Sequence, residues 1–282
     1  MTFNGSLQML KQEQEEEIMA KIGIIGIGNM GFAILKGLLK TYEKEDIIFT
    51  DVNKERCAQI SSEMGVAHRE SNAQCTGQAK YVVLAVKPQY FDPVLSDIRK
   101  EVSENHVIIS IAPGITTAQL KEKLGEKTRV VRAMPNTPAL LGEGMTGVCY
   151  DEKDFSQEEK ETIGDIFRSL GRMRIVEERL MNAVVCASGS SPAYVYMFIE
   201  ALADGAVKYG LPRDAAYEMA AQTVLGSARM VLETGEHPGV LKDKVCSPGG
   251  TTIEGVSALE EFGFRNAVIK AADACFKKCE KL

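Results

Sequence analysis

A glycine-rich turn near the start of the chain limits the folds that this sequence can adopt. An apolar strand pattern from Lys21 leads into Gly26-x-Gly28-x-x-Gly31, and a helical pattern follows. In such a unit the first glycine permits a tight turn, the second lets a pyrophosphate approach the backbone, and the third lets the helix pack against the strand. N–H groups at the helix N-terminus then face the phosphates. The motif predicts a dinucleotide site, and the alternative is a turn used only for packing.

An acidic residue follows the second predicted strand. Residues 46–51 form this strand, which ends at Asp51, about twenty residues beyond the glycines, where a dinucleotide-binding unit places an acid. A carboxylate there bonds the adenine ribose and repels a 2′-phosphate, which favours NAD. Asn53, Lys54 and Arg56 come next, and they either hold a 2′-phosphate or form a solvated helix start. The sequence leaves the choice between NADH and NADPH open.

Strand and helix patterns alternate up to about residue 176, which predicts an α/β fold with a doubly wound, mostly parallel sheet. Ligands bind such sheets outside the carboxyl ends of the strands. This rule places Asp51 and the glycine turn at one rim with residues 85–88, 112–114 and 134–138. Lys87 stands out because it follows an apolar strand and precedes a proline, although a snorkelling surface lysine has the same pattern.

Helical spacing replaces strand patterns after Val176. The predicted helix from Ala193 to Tyr209 carries apolar residues on nearly every face, and such a helix is buried. In so short a segment this favours a partner subunit, and the alternative is a monomeric helical bundle. We therefore predict three regions: a disordered acidic arm over 1–18, a dinucleotide-binding domain over 19–177, and an all-helical domain for dimerisation and substrate over 178–282.

The bulk composition excludes several classes of protein. The 282 residues carry a net charge of −6, so no nucleic-acid partner is expected. No apolar run reaches the ~18 residues that a membrane span needs. The seven cysteines are scattered, which fits reduced thiols in the cytoplasm better than a disulfide framework. Cys275 and Cys279 are spaced i, i+4 without a second pair or a nearby histidine, so we expect no metal site.

A polar loop interrupts the helical half. Pro248 and the two glycines after it cannot continue a helix, and Thr251-x-x-Glu254 matches a capping box that opens the next one. A serine and two threonines on a glycine loop at a helix N-terminus suit a carboxylate ligand. The alternative is that Ser247 and Thr251 only form the turn and the cap.

Four motifs together identify the chain with a known family. The loop from Leu241 to Gly255, residues 85–88, residues 134–138, and residues 188–194 match pyrroline-5-carboxylate reductases in order and spacing. The resemblance covers about residues 20–282. It implies NADPH or NADH as the cofactor, 1-pyrroline-5-carboxylate as the substrate and L-proline as the product, in the last step of proline biosynthesis. It also implies interleaved homodimers, which often join into a decamer.

The resemblance also assigns site residues. The cofactor-binding residues that it implies are Gly26, Ile27, Gly28, Asn29, Met30, Gly31, Asp51, Asn53, Asn72, Ala85, Val86, Lys87, Pro88 and Ala112. The substrate-binding residues that it implies are Glu178, Lys244, Ser247, Gly250, Thr251 and Thr252. The family often has Asn where this chain has Lys244, so the hydrogen bond implied for that position is open, although a lysine there could add attraction for a carboxylate. Thr252 and Lys87 are the candidate catalytic residues.

A cyclic imine that is already protonated needs neither a strong base nor a metal, and we expect Thr252 to bond its nitrogen. The scarcity of histidine in the predicted site argues against a 2-hydroxyacid dehydrogenase. Another imine reductase or a β-hydroxyacid dehydrogenase of the same layout remains an alternative. A β-hydroxyacid dehydrogenase needs a catalytic lysine on the long helix after the domain junction, and here that helix offers only Lys208, at its far end. A nucleotide-binding regulator is a further alternative, which the polar loop disfavours.

Overall fold

The computed structural model describes residues 20–281. They divide into two compact units, one formed by 20–189 with 278–281 and the other by Ser190–Lys277. This division comes later in the chain than the predicted domain boundary between 177 and 178, which stays a prediction. The predicted acidic arm over 1–18 lies outside the described residues.

The first unit contains an eight-stranded sheet that confirms the predicted fold class. Its strand order is β3-β2-β1-β4-β5-β6-β7-β8, and neighbours pair in parallel except β6 and β7. The first six strands follow the order of a dinucleotide-binding fold. The strands are β1 (Ala20–Ile25), β2 (Ile47–Thr50), β3 (Ala67–His68), β4 (Ala79–Leu84), β5 (Val107–Ser110), β6 (Arg129–Met134), β7 (Gly144–Cys149) and β8 (Gly171–Ile175).

Two apolar cores cover the two faces of this sheet. Side chains alternate between the faces, so Tyr81 and Val83 enter one core while Val82 and Leu84 enter the other. Burial on both faces explains why these strands are continuously apolar. The helices of this unit are α1 (Asn29–Leu38), α2 (Lys54–Met64), α3 (Asn72–Gly77), α4 (Phe91–Ile98), α5 (Thr117–Leu124), α6 (Gln157–Arg168) and α7 (Met181–Val184).

Local hydrogen bonds correct three details of the predicted elements. The sequence predicts a loop through Ser71 and Asn72, but α3 begins at Asn72, and Ser71 caps it by accepting the N–H of Gln74. The sequence offers Thr117 as a cap of α5, whereas Thr116 caps it in a capping box with Gln119. The pattern over 177–187 predicts one helix, whereas the structure has a 3-10 turn, α7 and a π-helical turn.

The second unit is helical, as predicted, with α8 (Ser191–Lys208), α9 (Arg213–Thr234), α10 (Pro238–Val245), α11 (Thr251–Glu261) and α12 (Phe264–Cys279). Pro192 lies in the first turn of α8 as expected, while Ser190 precedes the helix without a side-chain capping bond. Within the described chain, Ala203 is the one buried residue of α8, and Met197 remains 68% exposed. Apart from the face around Ala203, the apolar side chains of α8 are therefore only partly covered by the described residues.

Among residues 20–281, no helix combines the length and the apolar character that crossing a membrane requires.

Candidate active site

The three glycines of the turn have three different surroundings. Gly26 adopts φ +94°, and an added Cβ would lie 2.8 Å from the carbonyl oxygen of Ala85. An added Cβ at Gly31 would overlap the carbonyl oxygen of Gly26, whereas one at Gly28 would meet nothing within 4 Å. Gly28 also precedes the first residue of α1. A tight turn, an open approach and a close packing contact are the roles that a pyrophosphate-binding turn needs.

Asp51 connects the end of β2 to the glycine turn. Its Oδ2 accepts the backbone N–H of Ile27 at 2.7 Å, and its Oδ1 accepts the N–H of Asn53 at 2.9 Å. Arg56 supports the same turn, because its Nε donates to the carbonyl oxygen of Ile27 at 2.9 Å. The carboxylate is therefore held in one orientation by two backbone donors.

A cleft of about 410 Å³ opens at the carboxyl ends of β1, β2 and β4. Its lining contains predicted cofactor-binding residues from four separate stretches of chain, which is what the strand-end rule anticipated. The predicted residues that line it are Gly26, Gly28, Asp51, Asn72, Ala85, Val86 and Lys87. The structure thus brings together residues that are up to about sixty positions apart in the sequence.

Other predicted cofactor residues lie beside the cleft without lining it. Ile27 and Ala112 are buried, and the backbone N–H and carbonyl oxygen of Ile27 are already bonded to Asp51 and Arg56. The oxygen of the Asn53 side chain caps α2 by accepting the N–H of Arg56 at 3.0 Å. The predicted residues outside the lining are Ile27, Asn29, Met30, Gly31, Asn53, Pro88 and Ala112. Their roles stay predictions.

Sequence reasoning missed one wall of the cleft. Tyr90, just before α4, and Pro93, Val94 and Asp97 along it line the cleft, and Asp97 accepts a 3.0 Å hydrogen bond from the side-chain amide of Asn72. These residues are spaced i, i+3, i+4, i+7, which places them on one helix face. The sequence pattern from Tyr90 to Lys100 predicts a helix, so this spacing was readable from the sequence.

Lys87 reaches the rim of the cleft, at the point where the chain leaves β4. Its side chain is exposed, and no described residue forms an ion pair or hydrogen bond with its ammonium. A cation that is free among the described residues suits an anionic ligand or a proton-transfer role. The catalytic role stays a prediction.

Glu178 is fixed inside the first unit. Its carboxylate accepts the backbone N–H of Thr117 at 2.8 Å and the hydroxyl of Thr117 at 2.6 Å, and it pairs with Arg132 at 3.3 Å. Burial raises the pKa of Glu178, but the bonds from Thr117 and Arg132 outweigh it and lower the pKa below its usual value. The carboxylate is therefore ionised and committed to the N-terminus of α5.

The predicted substrate loop lies in the second unit. After α10 the chain turns through Gly249 at φ +67°, and α11 begins at Thr251 with Gly250 as its N-cap. The predicted capping box was wrong: Thr251 is the first helical residue, and no side chain caps α11. The loop therefore offers the free N–H groups of a helix N-terminus together with the hydroxyls of Ser247, Thr251 and Thr252.

Lys244 lies in the last turn of α10, just before this loop. Its Nζ donates to the carboxylate of Glu236 at 2.5 Å. Lys244 is 59% exposed and Glu236 is 35% exposed. Such a pair is weak enough to open, so Lys244 can still attract a carboxylate.

A second cavity, of about 780 Å³, lies at the amino ends of β4 and β6 and contains none of the predicted site residues. Its cations are all paired with acids. Lys80 and Arg129 both contact Glu159, at 2.9 and 2.6 Å, while Lys121 pairs with Asp154 and Lys127 with Glu104. Since these charges satisfy one another, we assign no ligand to this cavity.

Two family models match the chain. Residues 178–282 match the model described as pyrroline-5-carboxylate reductase dimerisation, which supports a homo-oligomer. Residues 21–114 match the model described as NADP oxidoreductase, coenzyme F420-dependent. The two matches correspond to the helical part and to the part that carries the glycine turn.

Similar proteins cover nearly the whole length. The pyrroline-5-carboxylate reductase of Escherichia coli is 48% identical over 93% of this chain and 98% of its own length, and that of Methanosarcina acetivorans is 42% identical over 90% and 96%. Among solved structures, the Coxiella burnetii pyrroline-5-carboxylate reductase superposes with a TM-score of 0.87 at 34% identity, covering 93% of this chain and 98% of its own. The Plasmodium falciparum pyrroline carboxylate reductase, solved with NADP bound, has a TM-score of 0.81 at 32% identity, with 93% and 97% covered.

Proposed function

The chain belongs to the pyrroline-5-carboxylate reductase family, and we infer that it reduces 1-pyrroline-5-carboxylate to L-proline with NADPH or NADH, the last step of proline biosynthesis. One observation carries this inference. The likeness to the family extends over both the glycine turn and the loop from Ser247 to Thr252, so a cofactor site and a second polar site occur in one chain. A nucleotide-binding regulator has no need of the second site.

We assign cofactor binding to the cleft of the first unit. The N–H groups at the start of α1 face a pyrophosphate across the open position at Gly28, and Asp51 accepts the hydroxyls of the adenine ribose. Lys87 adds a positive charge at the rim. The bound nicotinamide supplies the hydride.

We assign the substrate to the loop of the second unit. The N–H groups of Thr251 and Thr252 at the N-terminus of α11 suit a carboxylate, and the positive end of the α11 dipole adds to that attraction. Ser247 contributes a hydroxyl, and Lys244 contributes charge once its pair with Glu236 opens. Carboxylate binding would orient the ring for attack at the imine carbon.

Thr252 is the proposed partner of the imine nitrogen. Its hydroxyl is partly exposed at the N-terminus of α11 and is not used to cap the helix. A protonated imine is electrophilic, so the protein needs only to hold it in contact with C4 of the nicotinamide and to steady the nitrogen. Threonine is too weak an acid to be the proton source alone, so we give it the role of donor and relay.

We further propose that the oligomer is built from homodimers through α8 and that dimers join into a decamer. The exposed apolar side chains of α8 support a partner chain there, because large uncovered apolar patches mark protein interfaces. We also place the enzyme in the cytoplasm, because seven scattered cysteines, an odd number, suit reduced thiols better than a disulfide framework.

Turnover of purified protein tests the proposed reaction. The full chain is mixed with 1-pyrroline-5-carboxylate and NADH or NADPH, and oxidation of the reduced nicotinamide is followed by absorbance. We expect oxidation that depends on the imine and yields L-proline. Cofactor binding without oxidation would point to a different ring or to a regulator, and turnover of a β-hydroxyacid instead would point to the other class of reductase.

A further inference from the structure

The structure resolves a choice that the sequence left open. Resting on the cofactor site assigned above, we propose that this enzyme prefers NADH to NADPH and that Asp51 determines the preference. The difference between the two cofactors is a phosphate on the 2′-oxygen of the adenine ribose, so the groups around the end of β2 decide between them.

The Asp51 carboxylate cannot turn away from a 2′-phosphate. Its two oxygens are held by the N–H groups of Ile27 and Asn53, and its position is part of the cleft lining. An ionised carboxylate has about four acceptor sites, so each oxygen keeps a lone pair for a ribose hydroxyl. A phosphate at the same place would bring up to two negative charges against a fixed third.

In this structure the lysine that could offset this charge is bonded to Glu70, outside the lining of the cleft. Lys54 Nζ donates to the carbonyl oxygen of Glu70 at 2.5 Å and lies 3.9 Å from the Glu70 carboxylate. Both contacts draw the ammonium toward the chain that follows β3. Lys54 does not line the cleft.

The nearby arginine is also engaged. Arg56 Nε donates to the carbonyl oxygen of Ile27, and its guanidinium lies 5.9 Å from the centre of the Phe32 ring. The hydrogen bond ties Arg56 to the glycine turn through its Nε. Arg56, like Lys54, is absent from the lining of the cleft.

The other charged residues that line the cleft also disfavour a 2′-phosphate. Among the described lining residues, Asp51 and Asp97 are acidic and Lys87 is the one cation, and Lys87 follows β4 rather than β2. Asn53 offers a neutral amide at best, and its oxygen already caps α2. The described lining of the cleft therefore carries a net negative charge, and neither Lys54 nor Arg56 belongs to it.

Direct binding tests the preference without any imine substrate. The purified full chain is titrated with NADH and with NADPH, and the dissociation constants are measured by calorimetry or by cofactor fluorescence. We expect NADH to bind about tenfold more tightly at low salt, with a smaller ratio at high salt. Equal affinity, or tighter binding of NADPH, would overturn the proposal.

Substitutions of Asp51 then test whether its charge causes the preference for NADH. Asp51→Asn removes the charge while its amide oxygen still accepts one N–H, so the ratio of the two dissociation constants should fall to within about threefold. Asp46→Asn, which changes an acid at the amino end of the same strand, should leave the wild-type ratio unchanged. Because the readout is a ratio, a general loosening of the turn does not mimic the result, and an unchanged ratio in Asp51→Asn would refute the role of Asp51. Asp51→Ser gives a second test if the first variant does not fold.

The cofactor preference and the proposed reaction can be confirmed or refuted independently of each other. If neither cofactor is oxidised with 1-pyrroline-5-carboxylate but NADH still binds more tightly, the reaction is wrong and the preference stands. If the imine is reduced but NADPH is the tighter ligand, the reaction stands and the preference is wrong.

Discussion

Glu178 accepts both hydrogen bonds that Thr117 can donate, from its backbone N–H at 2.8 Å and from its hydroxyl at 2.6 Å. The two residues are 61 positions apart, so the contact ties the chain after β8 to the first turn of α5. Arg132 adds a third donor to the same carboxylate. Glu178, a predicted substrate-binding residue, therefore also holds two distant parts of the first unit together, which the sequence did not reveal.

Replacement of this carboxylate should weaken the first unit. Glu178→Gln loses charge-assisted bonds, and because the side chain is about one-third exposed we discount the loss to about 1–2 kcal/mol in the free energy of unfolding. The pKa of Glu178 is lowered in the folded state, so its contribution is present above the usual value of 4.5 and is lost as the pH falls through the lower folded pKa. Urea unfolding at about pH 7 and about pH 4 measures both effects.

The neighbouring acid provides a matched control for that experiment. Glu177 is exposed and pairs only with Arg179 among the described residues, so Glu177→Gln should leave the unfolding midpoint unchanged. If Glu177→Gln and Glu178→Gln change the unfolding midpoint equally, the hydrogen bonds from Thr117 to Glu178 do not stabilise the fold.

The glycine turn allows packing and ligand binding to be separated. Gly28→Ala adds a methyl group into open space, so the variant should keep its thermal stability yet bind NADH at least about tenfold more weakly, because the methyl occupies the approach of the pyrophosphate. Gly31→Ala would overlap the carbonyl oxygen of Gly26 and should lower the melting temperature as well. Calorimetric titration and thermal unfolding of both variants measure the contrast. Undiminished NADH binding by Gly28→Ala would mean that the turn serves packing alone.

Thr252 should matter more for chemistry than for binding. Thr252→Ala removes the proposed donor to the imine nitrogen, and we expect kcat to fall by about 10²–10⁴ with a smaller change in KM. Thr252→Ser keeps a hydroxyl and should retain most of the activity. Steady-state kinetics with 1-pyrroline-5-carboxylate decide the matter: a loss in kcat under about threefold in the alanine variant would reduce Thr252 to a binding residue.

A charge on α8 should break the proposed dimer. Met197 is 68% exposed within one chain, and if a partner covers it, Met197→Glu would bury an unpaired carboxylate. We expect sedimentation to show a smaller species at about micromolar concentration. Leu141→Glu changes an apolar residue of the first unit that is 84% exposed, and it serves as the control. A Met197→Glu protein that sediments like the wild type would place the interface elsewhere.

The acid at the second cavity should contribute to stability above about pH 4. Burial raises the pKa of Glu159, yet the contacts from Lys80, the N–H of Ser156 and Arg129 lower it to about 2. Glu159→Gln should cost about 1–3 kcal/mol near neutral pH, and the difference from the wild type should shrink as the pH falls from 4.5 toward 2. Urea unfolding across this range checks the sign, with the exposed Glu158→Gln as control. A constant difference across the range would exclude ionisation of Glu159 as the cause.

The sequence by itself determined the glycine turn, the alternation of strands and helices in the first unit and the helical character of the second unit. These features are local, because apolar periodicity records which face each element buries and glycine marks where the backbone must turn. The parallel sheet followed, since alternating strands and helices allow few other topologies. Even the missed wall formed by Tyr90, Pro93, Val94 and Asp97 was readable as one face of a predicted helix.

Only the tertiary structure decided which partner each polar side chain has. Asp51 could face a ribose, but its bond to Ile27, and the diversion of Lys54 to Glu70, depend on how β2, α2 and β3 pack. In the same way, Thr116 rather than Thr117 caps α5 because the hydroxyl of Thr117 is bonded to Glu178. A hydrogen bond needs two groups within about 3 Å, and for residues far apart in the chain only the packed fold sets that distance.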